Sequence, residues 1–175
     1  MATFLNNQSA KKYAILKLYI EDENWRSFYK NRAHEHNMNI IGTPYPVSGF
    51  NLYIPRAQDV DGYESVTVDM KIRCSMTSDV AYNGDFVPVG FYLRSHPSLS
   101  TTPMRFVNGA NIVNSGYRRS IISIFDNLSR ETQLMEKHSP IAQICSPDLR
   151  PIIVEIVDSI HSLGPGEDDI THVYH

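Results

Sequence analysis

Val66-Thr67-Val68-Asp69-Met70-Lys71-Ile72-Arg73-Cys74 alternates apolar and polar side chains with a period of two. Successive side chains of a strand point to opposite faces, so this pattern predicts a half-buried β-strand over residues 66–74. Similar signals surround it. Residues 13–20, 86–93, 120–125, 140–145 and 152–157 are rich in β-branched and aromatic side chains and are bounded by turn formers. Tyr82-Asn83-Gly84-Asp85 reads as a hairpin turn, because Asn-Gly accepts the positive φ that tight hairpins need. The ten prolines and nine glycines fall mainly after Gly42 and cut the chain into short segments. Many short strands with such punctuation predict an all-β barrel or sandwich. One helix is expected, over residues 22–36. Asp22 is a suitable N-cap, and Trp25, Phe28, Tyr29 and Ala33 recur at helical spacing as a packing stripe.

Composition narrows the function classes. The 175 residues are 42% apolar and 20% charged, with a formal net charge of −3. Disorder is excluded, since a disordered chain has few apolar residues and a high net charge. The near-neutral balance gives no electrostatic case for a nucleic-acid or acidic-membrane partner. No apolar run approaches the roughly 18–20 residues of a membrane span. The start, Met1-Ala2-Thr3-Phe4-Leu5, lacks the basic and apolar regions of a secretory leader, so an intracellular location is expected. Cys74 and Cys145 read as buried thiols of a reducing compartment. In outline, residues 1–12 form a loose N-terminus, 13–160 the β domain and 161–175 an acidic tail.

Three segments carry a family resemblance. Pro44-Tyr45-Pro46-Val47-Ser48-Gly49-Phe50-Asn51-Leu52-Tyr53-Ile54-Pro55 is similar to the first motif of the trimeric dUTPases, in particular those of large DNA viruses. Thr102-Pro103-Met104-Arg105-Phe106-Val107-Asn108, followed by Ile112-Val113-Asn114-Ser115-Gly116-Tyr117-Arg118, resembles the third motif. Ile141-Ala142-Gln143-Ile144-Cys145-Ser146-Pro147-Asp148-Leu149 resembles the fourth. The order is the family's, over about residues 13 to 160. The resemblance implies a distorted jelly-roll β-barrel, with the one helix near its N-terminus, assembled as a homotrimer. It also implies active sites between subunits, closed by a C-terminal arm. That family cleaves dUTP to dUMP and pyrophosphate, using a carboxylate to activate water, magnesium on the triphosphate and an Arg-Ser pair on the phosphates.

Against that pattern the site residues differ. Asn114 stands at the water-activating carboxylate, and an amide cannot accept a proton at neutral pH. A well-placed general base is worth roughly 10²–10⁴ in rate. Asn51 replaces the first-motif acid that supports the magnesium shell, and a neutral amide attracts a hard dication poorly. His96-Pro97 is read at the phosphate-clamping Arg-Ser pair; imidazole offers no bidentate fork. Asn111 brings bulk where the family has glycine, and the glycine-rich arm with its Arg and Phe has no counterpart in residues 164–175. Tyr117, which packs on deoxyribose in the family, and Gln143, which supports the uracil pocket, are retained.

The expected function is therefore a catalytically inactive, trimeric dUTPase-like module, structural or protein-binding, with a virion or capsid among its settings. Its vestigial pocket comprises Asn51, His96, Asn111, Asn114, Tyr117 and Gln143. No catalytic residue and no cofactor is assigned, with magnesium implied only if activity persists. The partners are further copies of itself and another protein, with viral structural proteins as candidates and Tyr45, Tyr53 and Tyr82 as contacts. The alternatives are an active dUTP diphosphatase and a nucleotide binder without hydrolysis. Arg118-Arg119 reads as an anion grip, a solvated edge or an intersubunit pair. His172 and His175 with Asp168 and Asp169 form a second, weaker metal-ligand pattern.

Overall fold

The computed structural model describes residues 13–78, 87–107 and 110–167. The expected turn at 82–85, Tyr82 and the His172/His175 pattern lie outside the described residues. In chain order the elements are β1 (Ala14–Tyr19), α1 (Glu23–Gly42), β2 (Gly49–Tyr53), β3 (Gln58–Val60), β4 (Ser65–Asp69), β5 (Arg73–Ser78), β6 (Val87–Val89) and β7 (Phe91–Ser95). They continue with β8 (Met104–Phe106), β9 (Ala110–Val113), β10 (Ile122–Asn127), β11 (Gln133–Met135), β12 (Pro140–Cys145) and β13 (Ile152–Val157). Short 3-10 turns occupy Pro97–Thr101 and Ile160–Leu163.

The all-β expectation with one major helix holds, but the barrel does not. The strands hydrogen-bond into four open sheets, ordered β13-β1-β5-β6, β4-β10-β8, β11-β3 and β2-β12-β7-β9. A barrel requires an unbroken cycle of paired strands. Among the described residues each sheet ends in strands that pair on one side only, so no sheet closes.

The alternating stretch 66–74 shows why. Val68, Met70, Ile72 and Cys74 are all buried, as the alternation demands. Yet β4 ends at Asp69 and β5 begins at Arg73, in a different sheet. Lys71 between them has φ 56°, and its N–H is held by Asp69 Oδ1 at 2.9 Å. The chain keeps its inward pattern while it changes sheets. In the same way, the strand expected over 86–93 divides at Gly90 into β6 and β7.

Helix α1 begins where its cap predicts: Asp22 accepts the Trp25 N–H at 2.7 Å. Trp25, Tyr29 and Ala33 face the core, and Trp25 Nε1–H donates to Met70 O at 3.0 Å. The helix runs on past 36 to Gly42 because its last turns are used. Asn37 donates to Val154 O and accepts from Val154 N–H, each at 2.9 Å. His36 Nε2 lies 2.9 Å from Ile152 O. Among the described residues β13 pairs only β1, so these side chains occupy the backbone groups of an otherwise open edge. Among the described residues, no helix is long and apolar enough to cross a membrane.

Candidate functional site

The sheet β2-β12-β7-β9 carries three of the six candidate residues, Asn51, Asn111 and Gln143. Its register places Asn51 opposite Gln143, Gln143 opposite Arg94, and Arg94 opposite Ala110. Side chains directly opposite one another share a face, so Asn51, Gln143 and Arg94 form one row. Within it, Gln143 Nε2–H donates to Asn51 Oδ1 at 2.8 Å. Gly49 admits this arrangement: a Cβ there would lie 3.1 Å from Cys145 Sγ and 3.4 Å from Gln143 Cβ.

His96 follows the end of β7. Its N–H donates to Ile141 O at 2.9 Å, and its Nδ1 accepts the Ser98 N–H at 3.2 Å as cap of the 3-10 turn. Burial, then the Arg94 charge, holds its pKa below the ordinary histidine range. A neutral imidazole already committed to a cap is a poor phosphate ligand. The side chain better suited to that role is Arg94, with Ser95 beside it. The pair precedes His96 directly, so an Arg-Ser dipeptide is present two residues upstream of His96-Pro97. Arg94, Ser95 and His96 line a shallow cavity of about 340 Å³ together with Arg105 and Phe106.

Asn111, Asn114 and Tyr117 lie off this row. Asn111 is opposite buried Leu93, on the face of the sheet away from Arg94. Asn114 is exposed, and its carbonyl accepts the Tyr117 N–H at 3.1 Å. Tyr117 packs against the core and donates its hydroxyl to Ser120 O at 2.9 Å. Val113, just before Asn114, pairs with Phe91, three positions along β7 from Arg94. At about 3.4 Å per residue the two groups are separated by ~10 Å within one chain. The structure thus joins Asn51, Gln143 and Arg94, with His96 nearby, and leaves Asn114 and Tyr117 apart from them.

Arg118 is buried, not a solvated edge. Its guanidinium donates to Ser115 O at 2.8 Å and Tyr117 O at 2.9 Å in its own turn. It also donates to Gly164 O at 3.3 Å and Pro165 O at 2.8 Å in the C-terminal segment. The first residues of the tail are therefore docked on the Asn114–Tyr117 turn. Gly164, at φ 78°, lets the chain make the required bend. Of the tyrosines expected as contacts, Tyr45 is exposed, but Tyr53 is half-buried with its ring 5.1 Å from that of Phe28. Cys74 and Cys145 are free and buried, and burial pushes the Cys74 thiol up to about 12.

A magnesium ion of the kind the resemblance implies is not matched by these donors. The oxygen at the first-motif position belongs to an amide already accepting from Gln143. Among the described residues, no group of three or more His, Cys, Asp or Glu side chains converges as a metal site.

No family model matches the chain, and no curated protein does. Solved structures do resemble it. The dUTPase of EIAV is 17% identical, covering 56% of this chain and 72% of its own, with a TM-score of 0.44. The dUTPase of Streptococcus mutans is 14% identical, covering 59% of this chain and 78% of its own, with a TM-score of 0.46. A mutant dUTPase from phage phi11 of S. aureus is 10% identical, covering 56% and 74%, with a TM-score of 0.44. The likeness is one of fold. It spans little more than half of the present chain.

Proposed function

We propose that this chain is a catalytically inactive, dUTPase-like protein that serves as a self-associating structural or protein-binding module. The observation that carries the reading is the Asn51–Gln143 hydrogen bond of 2.8 Å. An amide pair occupies the place where the resembling motifs put a carboxylate. Exposed Asn114 supplies no base at the second such place. Self-association as a trimer rests on the likeness of residues 44–55, 102–118 and 141–149 to the motifs of the trimeric dUTPases. A virion or capsid setting, with a viral structural protein as partner, rests on the viral character of the resembling motifs.

Arg94 favours a second reading, nucleotide binding without hydrolysis. It stands in the same row as Gln143 and offers a guanidinium fork that suits phosphate oxygens. Two experiments separate the readings. Purified protein incubated with dUTP and magnesium is expected to release no pyrophosphate above background. Robust release that disappears on Asn114→Ala or Tyr117→Phe would overturn the inactive reading. Calorimetry with a non-hydrolysable dUTP analogue then decides between a structural module, which gives no saturable heat, and a binder, whose heat is lost in Arg94→Ser. Light scattering tests the assembly, where a mass near that of one chain would overturn the trimer.

A further inference from the structure

Away from the sheet just described, a groove of about 1030 Å³ lies between the first turns of α1, the β2–β3 connection, the β4–β5 bend and the turn before β12. One wall is aromatic. Phe28 lies 4.9 Å from Trp25 at 7° between planes, and 4.4 Å from His138 at 10°. His138 also lies 5.6 Å from Trp25 at 12°, so buried Trp25 and exposed His138 form one near-parallel tier over the same face of half-buried Phe28. The remaining wall is charged. Its Asp69 is engaged by Lys71 Nζ at 2.8 Å and by Ser120 Oγ, Asp22 is engaged as the helix cap, and Glu21 adds an exposed carboxylate. Arg56, Arg73 and Lys137 line the same groove and have no ion-pair partner among the described residues.

A ligand complementary to both walls needs a flat ring for the tier and clustered negative charge for the cations. Guanidinium groups match phosphate oxygens in fixed, paired geometry. Aromatic platforms accept any nucleobase because every base presents a π face. The amides of Gln58 and Asn24, also on the groove, can address a base edge. The cavity is large enough for a ligand of this size.

We infer that this groove binds a nucleoside phosphate, its base extending the Trp25–Phe28–His138 tier and its phosphates held by Arg56, Arg73 and Lys137. The site shares no residue with the Asn51–Gln143–Arg94 row, and its occupancy is independent of whether that row binds or hydrolyses anything.

Trp25 is the single tryptophan of the chain, so its emission reports on the groove. The full chain is titrated with ATP, adenosine and inorganic pyrophosphate, read by Trp25 emission and by calorimetry. ATP is expected to bind saturably and to change Trp25 emission, with adenosine and pyrophosphate each weaker. His138→Ala is expected to weaken ATP at least about fivefold, the low end for loss of a stacking platform, and to leave pyrophosphate unchanged. Arg73→Ser with Lys137→Ser should weaken both phosphorylated ligands by a similar factor. All three positions are exposed, and an unchanged unfolding midpoint verifies that the variants fold. Arg130→Ser, an exposed cation that lines neither cavity, should change nothing. The inference is overturned by absence of saturable ATP binding below about 1 mM. It is equally overturned by pyrophosphate binding as tightly as ATP, by insensitivity to His138→Ala, or by loss of the Trp25 emission change in Arg130→Ser.

Discussion

Glu167 donates its backbone N–H to the carbonyl of Gly116 at 2.8 Å, joining the C-terminal segment to the turn that carries Asn114 and Tyr117. The contact exists because both chains are bare where they cross. A Cβ on Gly166 would lie 2.2 Å from Arg118 Cγ and 2.7 Å from Gly116 O. A Cβ on Gly116 would meet the Glu167 side chain at 2.6 Å. Arg118 closes the junction by donating to Gly164 O and Pro165 O.

Gly166→Ala should therefore undock the segment without unfolding the domain. The Arg118 side chain can swing aside, but the Gly116 carbonyl is backbone and cannot. Limited proteolysis is expected to cut after Leu163 faster than in the native chain, while stability in urea falls by no more than overpacking of one site costs, ~1–3 kcal/mol. An unchanged cleavage pattern would show that the junction does not restrain the segment.

The edge of β13 supplies a second prediction. Asn37 satisfies both the N–H and the C=O of Val154, acting as a side-chain substitute for a neighbouring strand. Asn37→Ala leaves a partly buried donor and acceptor without partners, at a cost of about 1–3 kcal/mol in urea unfolding. Asn37→Asp should cost more at pH 7 than at pH 3. The carboxylate can still accept from Val154 N–H but faces its carbonyl as an anion, whereas the protonated acid can donate to it. A stability of Asn37→Asp independent of pH, relative to native protein, would contradict this geometry.

These contacts mark what the sequence discloses. Asp22 and the stripe of Trp25, Tyr29 and Ala33 are local, separated by one or two helical turns, and their roles follow from spacing alone. The inward positions of residues 66–74 are equally legible, because alternation records burial. The change of sheet is not, because it rests on Lys71 adopting positive φ, which no residue type at that position announces. Arg118 escapes a local reading for another reason: its acceptors Gly164 and Pro165 lie more than forty residues away. A basic pair looks the same in sequence whether it meets water or a distant backbone. Arg94-Ser95 does carry a local signal, the dipeptide itself. Register with Gln143, visible only once β7 and β12 pair, singles it out over His96.

Histidine burial sets the pH response. His36 is held below the ordinary histidine range near 6.5, chiefly by burial, with its bond to Ile152 O opposing the shift. A depressed folded pKa means that the unfolded chain binds the proton more readily. Stability is then fully present above about pH 6.5 and is lost as pH falls through the unfolded value toward the folded one. Urea unfolding should show declining stability from pH 7 to pH 5, with a shallower decline in His36→Gln. His96 and His138 shift in the same direction and supply a smaller share, being more exposed. Asp69 and Asp148, both lowered, act further down, below the carboxylate range near 3.8. Equal slopes for His36→Gln and native protein between pH 7 and 5 would remove His36 from this account.

The inactive reading makes a demand on gain-of-function variants. If the only deficit were the missing base, Asn114→Asp alone would restore turnover of dUTP, because a positioned base contributes roughly 10²–10⁴ in rate. The Asn51–Gln143 bond argues otherwise. The first-motif position would still present a neutral oxygen tied to Gln143, and the docked residues 164–167 carry neither Arg nor Phe. Asn114→Asp is thus expected to leave pyrophosphate release at background. Asn51→Asp with Asn114→Asp should raise it only slightly, since the new carboxylate on β2 would accept from Gln143 Nε2–H while residues 164–175 bring neither Arg nor Phe to a nucleotide. A large recovery from Asn114→Asp alone, measured as magnesium-dependent pyrophosphate release, would mean that Arg94 and its neighbours already form a working phosphate site and that one amide is all that separates this chain from hydrolysis.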